Sequence, residues 1–191
     1  MAQLSRESLE KIGFASIGRD VRVSDRASIY GASRITLGDH VRIDDFCVLS
    51  AGEGGIHIGQ HVHLAVYSCL IGAGRITLGD FANISSRVAI YSSSDDYSGA
   101  TMTNPTVPDE YKNVAHADVG IGRHVIIGSG SVVLPGAMLE EGVGVGALSM
   151  VRGHCPAFGL YAGVPARRIR ERSRALLELE QGFLSSKELP Q

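Results

Sequence analysis

The sequence contains no tryptophan, and aromatic residues account for only 6% of its 191 positions. Its 18 lysines and arginines are nearly balanced by 20 aspartates and glutamates, so the net charge of -2 gives no electrostatic reason to expect a nucleic acid partner. No apolar run approaches the roughly 20 residues that a membrane-spanning helix needs, and the start of the chain lacks the apolar segment of a secretory signal. We therefore expect a single-domain cytoplasmic protein without a membrane span.

Cysteine is also scarce. Cys47, Cys69 and Cys155 are far apart, odd in number and in no CxxC or zinc-ligand spacing. We expect them to be reduced residues that fill the core, so we predict neither a disulfide framework nor a metal cofactor.

Glycine, in contrast, is abundant, and its 24 copies are regularly placed. The phrases RITLGDHVRI, GIHIGQHVHL, RITLGDFANI and VGIGRHVII superpose, which aligns Gly38, Gly59, Gly79 and Gly122. The chain is therefore a repeat protein.

Within each copy the finer period is six residues. An aliphatic residue opens each hexad, at Ile17, Val23, Ile29, Leu37, Ile43, Leu49, Ile58, Leu64, Leu70, Leu78, Ile84, Ile90, Ile121, Ile127, Val133, Leu139, Val145 and Val151. The fifth place is small or β-branched in nearly every hexad. Only Glu53 and Gly74 depart from this rule, both in irregular joins.

A period of six does not match the 3.6-residue period of an amphipathic helix. It suits short strands separated by tight corners, where the aliphatic residue points into a narrow core and glycine permits unusual backbone angles. Three hexads make one triangular coil of 18 residues, and stacked coils bury one another's aliphatic columns. We predict an all-β solenoid of six coils, at 17–34, 37–54, 58–75, 78–95, 121–138 and 139–156.

These hexads closely resemble those of the left-handed β-helix hexapeptide-repeat acyltransferases. The resemblance runs from about Ile17 to Arg170. Its most specific parts are IGRHVIIGSGSVVLPGAMLEEGVGVGALSMV and the ending YAGVPARRIR, which is similar to the family's closing GxPAxxIR phrase. The left-handed parallel β-helix is implied by the resemblance, because the period alone does not give the hand.

The resemblance also implies how a substrate is held. Family members are typically homotrimers whose active sites lie in clefts between neighbouring prisms, with acetyl-CoA as the co-substrate. By position, Ser129 and Ala147 would line the pantetheine arm of acetyl-CoA. Arg152, Arg167 and Arg170 would face its phosphates, to which the planar fork of arginine is suited.

The hexads stop between Ser92 and Asp118, and the intervening sequence is polar, with two prolines. A loop of this length in a repeat array is usually functional, so we predict an extruded loop at 92–118 that takes part in the site. The first 16 residues should form a helical cap. The segment 157–191 should end the chain with a helix that has Pro165 in its first turn. Arginines would then crowd the amino end of that helix, against its dipole.

The catalytic position departs from the family pattern. Related sugar and xenobiotic acetyltransferases carry a histidine base at the start of the loop, but the equivalent stretch here, IYSSSDDYSG, has none. Asp95 falls on the position in one alignment and Asp96 in another. Among the histidines, His116 is the strongest alternative, because it returns from the loop to the prism. His40, His61 and His124 share one hexad place and should instead form a stacked structural column.

A carboxylate of ordinary pKa is poorly matched to deprotonating a sugar hydroxyl, whereas an amine needs only to be held and to lose a proton after attack. We therefore expect an acetyl-CoA-dependent acetyltransferase that transfers directly, in a ternary complex, to a sugar or nucleotide-linked sugar. The aspartates favour an amino over a hydroxyl acceptor, and surface polysaccharide synthesis is the expected setting. The alternatives are a scaffold without activity and a zinc enzyme similar to γ-class carbonic anhydrases.

Overall fold

The computed structural model describes residues 2–187 and shows a left-handed parallel β-helix with three faces, whose strands are numbered along the chain. Face 1 contains Ser16–Ile17 (β1), Ile35–Leu37 (β4), Ile56–Ile58 (β7), Ile76–Leu78 (β10), Val119–Ile121 (β15), Met138–Leu139 (β18) and His154–Cys155 (β21). Face 2 contains Arg22–Val23 (β2), Arg42–Ile43 (β5), His63–Leu64 (β8), Asn83–Ile84 (β11), Ile126–Ile127 (β16), Gly144–Val145 (β19), Gly159–Gly163 (β22) and Ala166–Glu171 (β23). Face 3 contains Ser28–Tyr30 (β3), Val48–Ala51 (β6), Cys69–Gly72 (β9), Ala89–Tyr91 (β12), Val132–Val133 (β17) and Met150–Val151 (β20).

This arrangement confirms the predicted solenoid. Six coils visit all three faces, and β21 and β22 add a partial seventh turn that runs from His154 to Gly163. Strands of successive coils pair in parallel and in register, as in the pairing of Ile84 with both Leu64 and Ile127. Because each backbone group bonds to the coil above or below, the prism satisfies its backbone without helices.

The core is the predicted aliphatic column. From Val23 onward, every residue that opens a hexad is buried except Ile29, and Ile17 and Ile29 of the first coil are partly buried. The small fifth places are buried beside it in most hexads, including Val88, Ser131 and Ala137. The hexad pattern therefore identifies the core residues of the prism.

One corner carries the predicted column of rings. His40, His61, Phe81 and His124 all adopt positive φ, between 56° and 60°, at the turn between faces 1 and 2. Their rings stack with centroid distances of 4.4, 5.1 and 5.0 Å along the column. Stacking repays part of the cost of a left-handed backbone at non-glycine residues. The histidines are thus structural, as expected.

The amino end is capped by a short helix, Arg6–Ile12 (α1). Ser5 is its N-cap and accepts a hydrogen bond from the Ser8 amide at 3.2 Å. Leu9, which is 1% exposed, packs onto the first coil. The predicted amino-terminal helix is confirmed over these seven residues.

The sequence predicts a carboxyl-terminal helix with Pro165 in its first turn, but the helix begins only at Ala175. Pro165 lies in a turn, and Ala166–Glu171 forms β23, antiparallel to β22. This hairpin pairs the backbone edge that the last parallel strand would otherwise leave open. It also places Arg167, Arg168 and Arg170 on a strand and not at a helix amino terminus, where their charges would oppose the dipole. The helix that follows is Ala175–Lys187 (α2), and residues 188–191 of the predicted segment lie outside the described range.

Helix α2 lies across the ring column. Phe183 meets the His61 and Phe81 rings edge-on, with centroids 5.3 and 6.2 Å away. Glu180, only 7% exposed, pairs with Arg123 and with His124. Within residues 2–187, neither helix is long and apolar enough to cross a bilayer.

Candidate active site

The loop leaves and rejoins the prism at one place. Ser93–Ser94 (β13) pairs antiparallel with Ala115–His116 (β14), directly after the third face of its coil. The Ser93 hydroxyl accepts a hydrogen bond from the Ala73 amide at 2.8 Å and lies 2.7 Å from Nδ1 of His116. The base of the loop is therefore hydrogen-bonded to the preceding coil through Ala73.

A cavity of about 630 Å³ lies between this loop and face 3. Its floor is the outer surface of three successive coils, formed by Ile71, Tyr91, Val132, Leu134 and Pro135. The loop contributes the opposite wall through Ser93, Ser94, Asp95, Tyr97, Pro105 and Val114. An apolar floor with a few polar groups on one wall is the usual form of a small-molecule site.

The structure separates the two aspartates that the sequence could not. Asp96 accepts hydrogen bonds from the Ser98 amide at 2.8 Å and from the Thr101 hydroxyl at 2.9 Å. These bonds, those from Ser98 first, lower the pKa of the Asp96 carboxyl from its ordinary value. Asp96 thus shapes the loop.

Asp95 has the opposite environment. It is exposed and lines the cavity, and no described residue donates a hydrogen bond to its carboxylate. Its carboxylate is therefore available to a ligand that enters beneath the loop.

His116 faces elsewhere. Its ring contacts Ser93, and it lines a separate, smaller recess with Asp109, Lys112 and Val114. His116 does not line the cavity that contains Asp95. Of the three predicted catalytic residues, only Asp95 lies on the larger cavity.

The two small residues predicted for the acyl donor occupy one edge of the prism. Ser129 and Ala147 hold the same place in successive coils, at the corner between faces 2 and 3, and both are exposed. The coils approach closely beside them, because a Cβ on Gly128 would come within 2.5 Å of the Ala147 amide nitrogen.

The three predicted phosphate-binding arginines lie on the two faces that meet at that edge. Arg152 directly follows β20 on face 3, while Arg167 and Arg170 are on β23 of face 2. All three are exposed, and none forms an ion pair with a described carboxylate. Neighbouring Arg168, in contrast, pairs with Glu171.

Comparison with known proteins gives this arrangement a family. No protein-family model matches the sequence. The chain is 55% identical over 186 residues to a dTDP-4-amino-4,6-dideoxy-D-glucose acyltransferase of Escherichia coli, and the match covers 97% of each protein. This chain belongs to the hexapeptide-repeat acyltransferase family. It is an acyltransferase.

Solved structures agree with this assignment. The N-acyltransferase AntD of Bacillus cereus, in complex with dTDP and 3-hydroxybutyryl-CoA, shares 46% identity and a TM-score of 0.93 over 98% of both chains. A single-residue variant of AntD has been solved with dTDP-4-amino-4,6-dideoxyglucose and coenzyme A, at a TM-score of 0.92 over 96% of this chain and 97% of AntD. A maltose O-acetyltransferase of Clostridium difficile 630, 20% identical, shares the fold with a TM-score of 0.58 over 88% and 74% of the two chains.

The cavity floor of the acyltransferase was not predicted from its sequence. Ile71, Tyr91 and Leu134 follow directly after inward aliphatic residues, in the second hexad place, so their side chains point outward. Large apolar residues on an outer face are a signal that could have marked the floor. Tyr91 is partly buried, and its burial raises the pKa of its hydroxyl from the ordinary value.

Two titratable residues outside the cavity, His154 and Glu140, interact with each other. His154 lies 2.7 Å from the Glu140 carboxylate on face 1. Across residues 2–187, no three His, Cys, Asp or Glu side chains are grouped so that they could hold a metal ion.

Proposed function

We propose that this acyltransferase transfers an acyl group from acyl-CoA to the amino group of a dTDP-linked 4-amino-4,6-dideoxy sugar. The observation that carries the proposal is the free carboxylate of Asp95, on the wall of the cavity of about 630 Å³ between the loop and face 3. An anionic group without a partner, above an apolar floor, suits a deoxy sugar that carries an amine. The substrates of the two close relatives have this chemistry.

In the proposed reaction, Asp95 holds the neutral amine of the acceptor by accepting a hydrogen bond from it. The nitrogen attacks the thioester carbonyl carbon, forming the C–N bond as the C–S bond breaks. The cationic nitrogen then loses one proton to Asp95, which passes it to the departing thiolate of coenzyme A, so that the carboxylate is regenerated. A carboxylate is sufficient because the nitrogen becomes strongly acidic only after attack, so no base poised near neutral pH is required.

The acyl donor is proposed to lie along the edge between faces 2 and 3. Ser129 and Ala147 would contact the pantetheine arm, where small side chains let the donor approach the backbone. Arg152, Arg167 and Arg170 would contact the phosphates. Their lack of carboxylate partners within the described residues supports this role, since a phosphate would supply the missing counter-charge.

We further propose that the enzyme works as a cytoplasmic homotrimer and supplies acylated sugars for surface polysaccharides. Exposed apolar residues support association, because Phe46, Tyr67 and Leu148 are 43%, 54% and 74% exposed along the same edge. A neighbouring prism against this edge would turn an open surface into a cleft. Sedimentation equilibrium on the purified protein tests the trimer.

The function itself is tested by acceptor choice. The purified enzyme is supplied with acetyl-CoA, or 3-hydroxybutyryl-CoA, and with dTDP-4-amino-4,6-dideoxyglucose or the matched sugar nucleotide that has a 4-hydroxyl. Release of coenzyme A and mass of the product are measured. We expect turnover of the amino sugar alone. Rapid acylation of the hydroxyl sugar without turnover of the amino sugar would overturn the proposal.

A further inference from the structure

Arg172 is a charged residue that neither the repeat nor the proposed reaction explains. It follows β23 directly and is partly buried, and no described carboxylate pairs with it. Burial lowers the pKa of its guanidinium from the ordinary value. A partly desolvated cation without an acidic partner is costly unless its donors are well used.

The guanidinium of Arg172 donates its hydrogen bonds to backbone carbonyls of the prism. Nη1 donates to the carbonyl of Gly142 at 2.6 Å and lies 3.5 Å from the carbonyl of His124. The Arg172 amide also donates to the carbonyl of Phe158 at 2.7 Å. Its aliphatic stem lies over Gly144, where a Cβ would come within 2.9 Å of Arg172 Cδ. Arg172 therefore fastens the end of β23 to the last coils.

The strand that Arg172 fastens contains a β-bulge. Leu160 pairs with Arg170, and Ala162 pairs with Arg167, but the register shifts between them and leaves Ile169 unpaired. Two residues three places apart on a regular strand would point to opposite faces. Because paired residues share a face and Leu160 and Ala162 are two places apart, the bulge brings Arg167 and Arg170 onto the same face.

We infer that Arg172 is a positioning residue for the acyl donor, which holds the bulged end of β23 so that Arg167 and Arg170 face the donor phosphates together. This inference rests on the proposed function only in taking acyl-CoA as the ligand of those two arginines. Arg172 itself contacts the protein carbonyls and not the donor.

The test is Arg172→Met, which keeps the stem over Gly144 and removes the donors. Affinity for coenzyme A is measured by titration calorimetry and KM for acyl-CoA by steady-state kinetics. We expect the Kd of coenzyme A and the KM of acyl-CoA each to rise about tenfold, which is the effect of losing one charge-assisted hydrogen bond. The value of kcat and the KM of the sugar nucleotide should stay unchanged. Arg172→Lys, which keeps the charge but not the fork, should give a smaller rise and remains informative should the Met variant fail to fold.

The control is Arg168→Gln, since Arg168 pairs with Tyr161 across the hairpin and so points to the opposite face from Arg167 and Arg170. It should leave the affinity for coenzyme A unchanged. In a mutant cycle, Arg172→Met should add little once Arg167→Ala and Arg170→Ala are both present, because the displaced arginines can be lost only once.

Unchanged affinity for coenzyme A in a folded Arg172→Met protein contradicts the inference, as does full additivity with the combined Arg167→Ala and Arg170→Ala changes. A fall in kcat and in the affinity for both substrates together would show a general structural role instead. The outcomes are separable from those of the proposed function. A wild-type protein that binds coenzyme A but acylates no amino sugar overturns that function alone, and one that does not bind coenzyme A overturns both.

Discussion

The coils and the loop at 92–118 use their polar side chains differently. In the coils, buried hydroxyls are committed to the fold, as where Ser131 and Ser149 both donate to the Gly146 carbonyl, at 3.1 and 2.7 Å. Among the described residues, no buried side-chain nitrogen or oxygen lacks a partner. In the loop, Asp96 is committed in the same way, but adjacent Asp95 is left free at a cavity. The proposed chemistry therefore lies outside the repeat, where the hexad pattern no longer constrains the sequence.

The largest effect should come from separating the two adjacent aspartates. Asp95→Asn keeps the shape of the side chain but removes the proton acceptor, so kcat should fall by about 10²- to 10⁴-fold, the usual worth of a positioned acid or base. Asp96→Asn is the matched control and should keep most of the activity, because its amide oxygen can still accept from Ser98 and Thr101. Steady-state kinetics on both variants measures this. A larger loss in the Asp96 variant would reverse the assignment.

The second prediction concerns two neighbouring isoleucines of one coil. Ile127 is fully buried and Ile126 is 38% exposed, although both are on β16. Ile127→Ala should lower the free energy of unfolding by about 2–5 kcal/mol, through lost burial and a residual cavity. Ile126→Ala should cost less than about 1 kcal/mol. Urea unfolding measures both, and equal losses would mean that the hexad register is misplaced.

The smallest effect is predicted for the contact between helix α2 and the ring column. Burial alone would raise the pKa of Glu180, but hydrogen bonds from Arg123 and His124 outweigh it and hold the pKa below 4.5. The charged carboxylate therefore stabilises the fold above the pKa of the unfolded chain, and this contribution is lost as pH falls through the lower, folded pKa. Glu180→Gln should cost about 1–2 kcal/mol at pH 7.

The difference in unfolding free energy between wild type and Glu180→Gln should shrink as pH falls below about 4.5, where the unfolded carboxyl becomes protonated. Exposed Glu178, on the same helix, supplies the control, and Glu178→Gln should show no such pH dependence. A difference that stayed constant from pH 7 to pH 3 would exclude an electrostatic contact.

The fold could be predicted because every copy of the repeat carries the same structural signal. Each hexad independently places an aliphatic residue inward, so one irregular join, such as that at Glu53, does not obscure the register. The stacked histidines could be predicted for the same reason, since His40, His61 and His124 share one place. Redundancy of this kind is absent outside the coils.

The structural features that could not be predicted each depend on contacts that occur only once in the molecule. Pro165 is compatible with both a helix start and a turn, and only the open edge of β22 decides between them. Neither the bulge at Ile169 nor the contacts of Arg172 leave a pattern in the sequence. Asp95 and Asp96 are identical and adjacent, and they differ only because Ser98 and Thr101 donate to one of them.

The central claim is tested most directly by a crystal structure of the wild-type enzyme with coenzyme A and dTDP-4-amino-4,6-dideoxyglucose bound together. The distance to be measured is that from the sugar amine to the nearest carboxylate or imidazole. We expect a carboxylate oxygen of Asp95 within about 3.2 Å of the amine. An amine held instead by Asp96 or His116, with Asp95 facing solvent, would contradict it.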